Sequence, residues 1–403
     1  MEPLDIILVG CGMMGARHLR GYGELEKVRP GSLRLVAVCD PRREASEKAA
    51  DEAERLLGYR PAVYRSAEEA LASGTAMEAA DVVTDNRSHN AVVIPLLRAG
   101  LDVLVEKPLA VTGARGQAMV EAAKRCNRVL AVAENNRRDP MNRLMRDVVQ
   151  SGFIGKPNFL MQTSITTGRR VLASPWRHAL ANGGLALDVG IHQAYVLEML
   201  LGPMDTVYAA SQQVWSKRLW KRPDDPVEEV PVESDDVFAA TLTYESGAQG
   251  VWVMHFGSAG LGPWQRIVFG DLGTAEGPPD RSGKSVRVQR GSEVLTGDAL
   301  VEALPDFHLN EIESRLFGER PGGYAFESAV TDRKLIAAEL ADFVDALREH
   351  REPEVPGELG LRSVAVVYAV LESAACGQPV EVQDVLSGEV GHFQQQVESC
   401  QYG

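Results

Sequence analysis

Gly10-Cys-Gly12-Met13-Met14-Gly15 follows directly on the apolar, isoleucine-rich run 5–9. A strand that feeds a G-x-G-x-x-G turn and then a helix suits one chemistry well. The first glycine turns the chain, the second admits a pyrophosphate to the backbone, and the third lets helix and strand pack closely. Amide N–H groups at the helix start then face the phosphates, with Met13 and Met14 flanking them. Asp40 ends the next apolar run, 34–39. An acid there is expected to bond the adenosine ribose hydroxyls and to repel a 2′-phosphate, which favours NAD over NADP. Arg42 and Arg43 are the opposing signal, because either suits that phosphate. Asp40 also stands where a helix N-cap before Pro41 would.

Two further groups carry titratable side chains. The strand-like run 101–105 leads into Glu106-Lys107-Pro108, and the carboxyl ends of such strands are where open α/β sheets bind ligands. The plain alternative is a solvated charge pair capping a surface loop. Asp188 and His192 fall at i and i+4 of an apolar stretch that runs to Leu201 and is ended by Gly202-Pro203, so they share one helix face. Here the alternative is an N-cap aspartate and a satisfied, partly buried histidine. Two such ligands without a clear third make a poor zinc site, and no metal is expected.

The elements that must hold these residues divide the chain in two. At 403 residues it exceeds the usual single-domain range. Through residue 136 short apolar runs alternate with helical patterns: strands at 34–39, 62–64, 81–84, 101–105 and 129–132, helices at 44–57, after Ser66, 89–99 and 113–126. That alternation predicts a doubly wound parallel sheet. A helix over 140–150 follows, and then β-type runs at 158–167, 205–215, 237–244, 250–256, 266–269 and 285–289, with a turn at 245–248. These predict an α+β domain, residues 137–403, built on a largely antiparallel sheet. Helical patterns return at 331–349 and 361–375. Residues 217–234, rich in proline and acid, read as a loop over the site or at an interface.

Composition narrows the partners. The apolar fraction of 45% is ordinary for a soluble protein, and the net charge of −14 argues against nucleic acid or anionic membrane. Five scattered cysteines with no C-x-x-C fit reduced thiols in a cytoplasm. The acidic start resembles no signal peptide, and no run reads as a membrane span.

Taken together, the glycine turn, the strand ending in Glu-Lys-Pro, and Gly183-Gly184-x-x-x-Asp188-x-Gly190-x-His192 resemble the Gfo/Idh/MocA family of glucose–fructose oxidoreductase and inositol dehydrogenase. The resemblance covers nearly the whole chain to about Pro379. It implies a Rossmann domain, a second domain on a large open sheet through which members form dimers or tetramers, and NAD(P)-linked hydride transfer at a carbinol of a sugar, cyclitol or glycoside. Carried over by motif, Gly10, Gly12 and Gly15 would hold the pyrophosphate, Asp40 the adenosine ribose and Glu106 the nicotinamide ribose. Lys107, Asp188 and His192 would surround the reacting hydroxyl, often with a cis peptide before Pro108. Asp85 stands where members commonly carry proline, so Asn86 and His89 are less secure cofactor contacts. Trp176-Arg177 resembles a pair that reaches the cofactor from the second domain, and reads equally as a packed Trp beside a surface Arg.

The resemblance makes His192 the general base and Lys107 the group that steadies alkoxide charge, or the reverse, with Asp188 orienting the substrate or a partner. Two other functions fit the same motifs: a redox-neutral enzyme that retains NAD while it cleaves or rearranges a glycoside, and a non-catalytic NAD-binding regulator. Arg137, Arg138, Gln162, Arg169, Arg170 and His178 are candidates for a polar substrate site, and the arginines would suit an acidic or phosphorylated sugar.

Overall fold

A computed structural model describes residues 2–221 and 226–400. The first half alternates as the sequence predicts: β1 (Leu4–Val9), α1 (Met13–Val28), β2 (Leu33–Cys39), α2 (Arg43–Leu57), β3 (Ala62–Tyr64), α3 (Ala67–Ala72), β4 (Ala79–Val82), α4 (His89–Arg98), β5 (Asp102–Glu106), α5 (Gly113–Cys126) and β6 (Leu130–Ala133). All six strands are parallel, in the order β3-β2-β1-β4-β5-β6. The order reverses between β1 and β4, which opens a crevice at their carboxyl ends. Gly10 lines that crevice with φ +103, and a Cβ there would lie 2.7 Å from the Val83 carbonyl oxygen. Only glycine lets the turn pass so close to β4.

After a 3-10 turn (Asn136–Arg138) come α6 (Pro140–Gln150), β7 (Pro157–Thr167), α7 (Gly184–Leu201), β8 (Met204–Gln212), β9 (Lys217–Trp220), β10 (Glu228–Pro231), β11 (Val237–Tyr244), β12 (Gln249–Ser258), β13 (Trp264–Gly270), β14 (Thr274–Gly277), β15 (Arg287–Arg290) and β16 (Glu293–Thr296). Then follow α8 (Gly297–Glu302), α9 (Glu311–Phe317), α10 (Ser328–Glu349), α11 (Gly357–Cys376), β17 (Val380–Glu381), α12 (Val382–Ser387) and α13 (His392–Ser399). The larger sheet has nine strands, β16-β15-β14-β13-β7-β12-β11-β8-β17, antiparallel but for the β7–β12 pair. Its strands alternate: Phe238, Ala240, Leu242 and Tyr244 of β11 are buried while Ala239, Thr241 and Thr243 face outward. That is the pattern of a sheet with one packed face.

The last third of the chain returns to the first sheet. Helix α10 lies along α1, where Gly21 leaves room for Ile336, and α11 packs against α5, α7 and β8. Helix α13 ties back to the start of α5: Gln394 accepts the Gly113 N–H at 2.7 Å, and Glu398 pairs with Arg115 at 2.8 Å.

Several expectations need correction. Residues 217–234 are not simply a loop, because β9 and β10 pair as a separate antiparallel ribbon; residues 222–225 lie outside the described set. Lys217 pairs with Glu229 across it, a cross-strand contact that charge-rich composition concealed. Strand β4 begins two residues earlier than its apolar run suggested. Asp40 is not the cap of α2, whose N-cap position is Arg42. Two helical stretches, Leu180–Leu201 and Gly357–Cys376, are long and apolar enough to cross a membrane. Both are mostly buried inside the fold, as helices apolar on all sides are in a large core.

Candidate active site

The glycine turn is closed by Asp40. Its carboxylate accepts the Cys11 N–H at 2.9 Å and the Arg42 N–H at 2.9 Å, and it meets the Arg42 guanidinium at 3.1 and 3.2 Å. Burial pushes this carboxyl up, but the bonds from Arg42 and the two amides outweigh it and hold the group below its ordinary range. A cavity of about 570 Å³ runs along this edge. Gly10, Gly12, Met13, Met14, Asp40 and Arg42 form one wall, and Trp176 and Arg177 of the second domain form another. The Arg177 guanidinium stacks 4.3 Å from the centre of the Trp176 ring. A larger cavity, about 950 Å³, lies at the opposite ends of the strands. Ion pairs such as Lys124–Glu358 and Arg348–Glu78 rim it, and it has no glycine turn.

Arg177 joins the cleft to the second group of residues. Its Nε donates to Asp188 at 2.8 Å. On the other side of Asp188, the Lys107 Nζ donates to the backbone carbonyl at 2.7 Å and to the carboxylate at 3.1 Å. Burial alone would raise the Asp188 carboxyl, yet the two cations outweigh burial and lower it, so it stays ionised. The Lys107–Pro108 peptide is cis. Glu106, just before it, is turned toward His18 of α1, 3.5 Å away in an ion-pair contact. His18 in turn meets Asp81 at 2.9 Å. Burial disfavours charge on His18, but Asp81 and Glu106 outweigh it and raise the imidazole well above its ordinary value. Glu106 is correspondingly lowered, burial being offset by His18 and then Lys107.

The helix carrying Asp188 and His192 is apolar on all sides, and of its residues only Val189 and His192 are not buried. His192 Nδ1 lies 2.9 and 2.7 Å from the two carboxylate oxygens of Glu134, whose side chain is fully buried. Asp188 and His192 therefore share a helix face without sharing a bond. Glu134 follows β6 as Glu106 ends β5, at the carboxyl end of the sheet, and that position was the signal in the sequence for it.

Asn86 and His89 are turned inward. Asn86 donates to the Asn182 carbonyl at 2.9 Å and accepts from the Asn182 side chain at 3.0 Å, linking the loop after β4 to the entry of α7. His89 is fully buried with Nδ1 3.0 Å from the Pro108 carbonyl, and burial lowers its imidazole, so it braces the cis turn as a neutral ring. Most of the candidate substrate ligands hold the fold instead. Arg138 pairs with Asp342 and Glu354. Arg137 lies against Glu354 and donates to the Tyr195 carbonyl. Gln162, fully buried, accepts from Arg266 at 2.8 Å. Arg169 lies beside Glu229 and over Trp215. His178 Nε2 accepts the Leu172 N–H at 3.0 Å, and burial followed by Arg218 lowers this ring to about 4. Arg170 is exposed.

Residues 4–134 match the oxidoreductase family described as having an NAD-binding Rossmann fold, and residues 142–276 match the GFO/IDH/MocA C-terminal domain. The chain is 26% identical to a D-apiose dehydrogenase from Paraburkholderia graminis, over 94% of this chain and 89% of that protein. It is 25% identical to a myo-inositol 2-dehydrogenase from Thermotoga maritima, over 95% and 100%. Among solved structures, an NAD binding oxidoreductase from Klebsiella pneumoniae aligns with a TM-score of 0.76 at 25% identity, covering 94% of this chain and 99% of that one.

Proposed function

Because the chain belongs to the GFO/IDH/MocA family of NAD-binding oxidoreductases, we propose that it oxidises a secondary carbinol of an uncharged sugar, cyclitol or glycoside. NAD, when bound, supplies the hydride acceptor. The glycine turn fits a pyrophosphate, since Gly10 and Gly12 line the cleft without side chains. The cofactor is NAD rather than NADP: Asp40 is anionic at the cleft wall, and the nearest cation, Arg42, is already bonded to it. Trp176 and Arg177 line the cleft from the second domain, while Glu106, held toward His18, is the residue we assign to the nicotinamide ribose.

The observation that carries this reading is that two unlike groups are each held by a buried carboxylate, Lys107 by Asp188 and His192 by Glu134. Lys107 is a fixed donor, held by Asp188, and suits the substrate oxygen as negative charge develops on it. His192 is the base, because its Nε2 has no bonded partner among the described residues. Asp188 sets the position of Lys107 and Arg177. The uncharged substrate follows from the arginines, most of which are already paired with carboxylates. The outer face of the nine-stranded sheet, where Tyr208 is half exposed, suits association of two copies.

The test is NADH formation on a panel of neutral polyols, sugar acids and sugar phosphates. Turnover confined to neutral members is expected. Release of an aglycone without NADH would favour the redox-neutral route instead.

A further inference from the structure

We propose that Glu134 is the positioning residue for proton transfer: its carboxylate holds His192 with the hydrogen on Nδ1 and so makes Nε2 the atom that receives the substrate proton. The inference rests on the reading of His192 as the base.

The geometry of Glu134 leaves it little else to do. Both oxygens lie within hydrogen-bond distance of His192 Nδ1, at 2.9 and 2.7 Å. A carboxylate only accepts hydrogen bonds, so Nδ1 must be the protonated nitrogen of a neutral ring. Glu134 forms no ion pair with a lysine or arginine among the described residues, and His192 is its one cationic partner when charged. Its own position is fixed from behind. The Asn136 N–H donates to Oε1 at 2.8 Å. Asn136 begins the 3-10 turn that Arg138 anchors to Asp342, and Asn142 of α6 donates to the Asn136 carbonyl at 2.9 Å. A carboxylate so constrained on a rigid turn sets the ring plane as well as the tautomer.

The step then balances. The carbinol O–H bond would break with its proton going to Nε2, and NAD would supply the acceptor for the C–H electron pair, leaving as hydride, so that a carbonyl forms. The imidazolium that results lies against a buried carboxylate, where its charge is stabilised. With the hydrogen on Nε2 instead, the same ring would offer the substrate a donor and no acceptor.

The tautomer is read directly from ring ¹⁵N shifts of histidine-labelled full-length protein, with His192→Ala supplying the assignment. In the unsubstituted protein the neutral His192 ring is expected to carry its hydrogen on Nδ1; a hydrogen on Nε2 would overturn the proposal without any variant or any activity. Glu134→Gln, close in size but uncharged, is expected to lower kcat by about 100-fold or more with KM and NAD affinity within about threefold. Unchanged kcat would overturn the proposal, as would a loss confined to KM. If the unsubstituted protein showed the expected tautomer yet turned over no polyol, the proposed function would fail while the Glu134–His192 assignment stood.

Discussion

The Lys107 ammonium donates to two oxygens of a single residue, the Asp188 carbonyl at 2.7 Å and the Asp188 carboxylate at 3.1 Å. One residue at the end of a parallel strand is thus fastened to a helix of the other domain. Lys107→Met keeps the aliphatic stem and removes both bonds. Its kcat is expected to fall by about 10² to 10⁴, the range for a lost electrostatic group at a reacting oxygen. Asp188 keeps Arg177 as a partner, so the loss of stability should be only about 1–3 kcal/mol in urea unfolding. NAD affinity, measured by fluorescence, should change little.

The Asn86–Asn182 exchange makes a different prediction. Both side chains are buried: the Asn182 amide donates to the Asn86 side-chain oxygen, and the Asn86 amide donates to the Asn182 backbone carbonyl. Asn182→Ala leaves the Asn86 oxygen without its donor. The expected cost is about 1–3 kcal/mol, read as a lower urea midpoint with an unchanged slope. Because Asn182 leads into α7, kcat should fall further than NAD affinity.

Cofactor choice depends on Asp40. Asp40→Ser removes the charge that repels a 2′-phosphate and frees Arg42 to meet one. NAD binding should weaken by about tenfold and NADP binding should strengthen, both followed by titration. An unchanged preference would remove Asp40 from the ribose site.

Glu339 of α10 is fully buried, its Oε2 has no hydrogen-bond partner, and burial raises its carboxyl well above the ordinary value. The folded protein therefore keeps a proton there that the unfolded chain releases above its ordinary carboxyl range. Stability from this group is present at acid pH and is lost as pH rises toward the raised folded value. Glu339→Gln should be nearly neutral near pH 4 and more stable than the parent near pH 8, by about 1–3 kcal/mol. Asp188 and Glu106 run the other way. Both are lowered in the fold, so their contribution is present at neutral pH and is lost as pH falls through their folded values.

The sequence carried the first domain almost entirely. Gly10, Gly12 and Gly15 occupy a turn whose spacing is local, and each strand of the parallel sheet announces itself as an apolar run. Lys107 and Asp188, which the structure brings into contact, were legible as a candidate pair because two short motifs carry them. Glu134 was not: it stands alone just past an apolar run, and only the fold reveals that it faces a helix residue 58 positions away. The arginines failed for the same reason. Arg137 and Arg138 look like ligands until Asp342 and Glu354 arrive from distant segments of the chain to neutralise them. Polar pairs separated by two hundred residues leave no periodicity to read. The ribbon of β9 and β10 was hidden by charge, since Lys217, Arg218, Glu228 and Glu229 leave it no apolar run.

Lys107 and His192 are proposed to act on a carbinol beside bound NAD. Steady-state NADH formation should be measured for the parent, Lys107→Ala and His192→Ala on the neutral polyol best turned over by the parent, with NAD affinity determined in parallel. Both substitutions are expected to reduce kcat/KM by at least about 100-fold while NAD affinity stays within about threefold. Near-parent turnover in both would contradict the assignment.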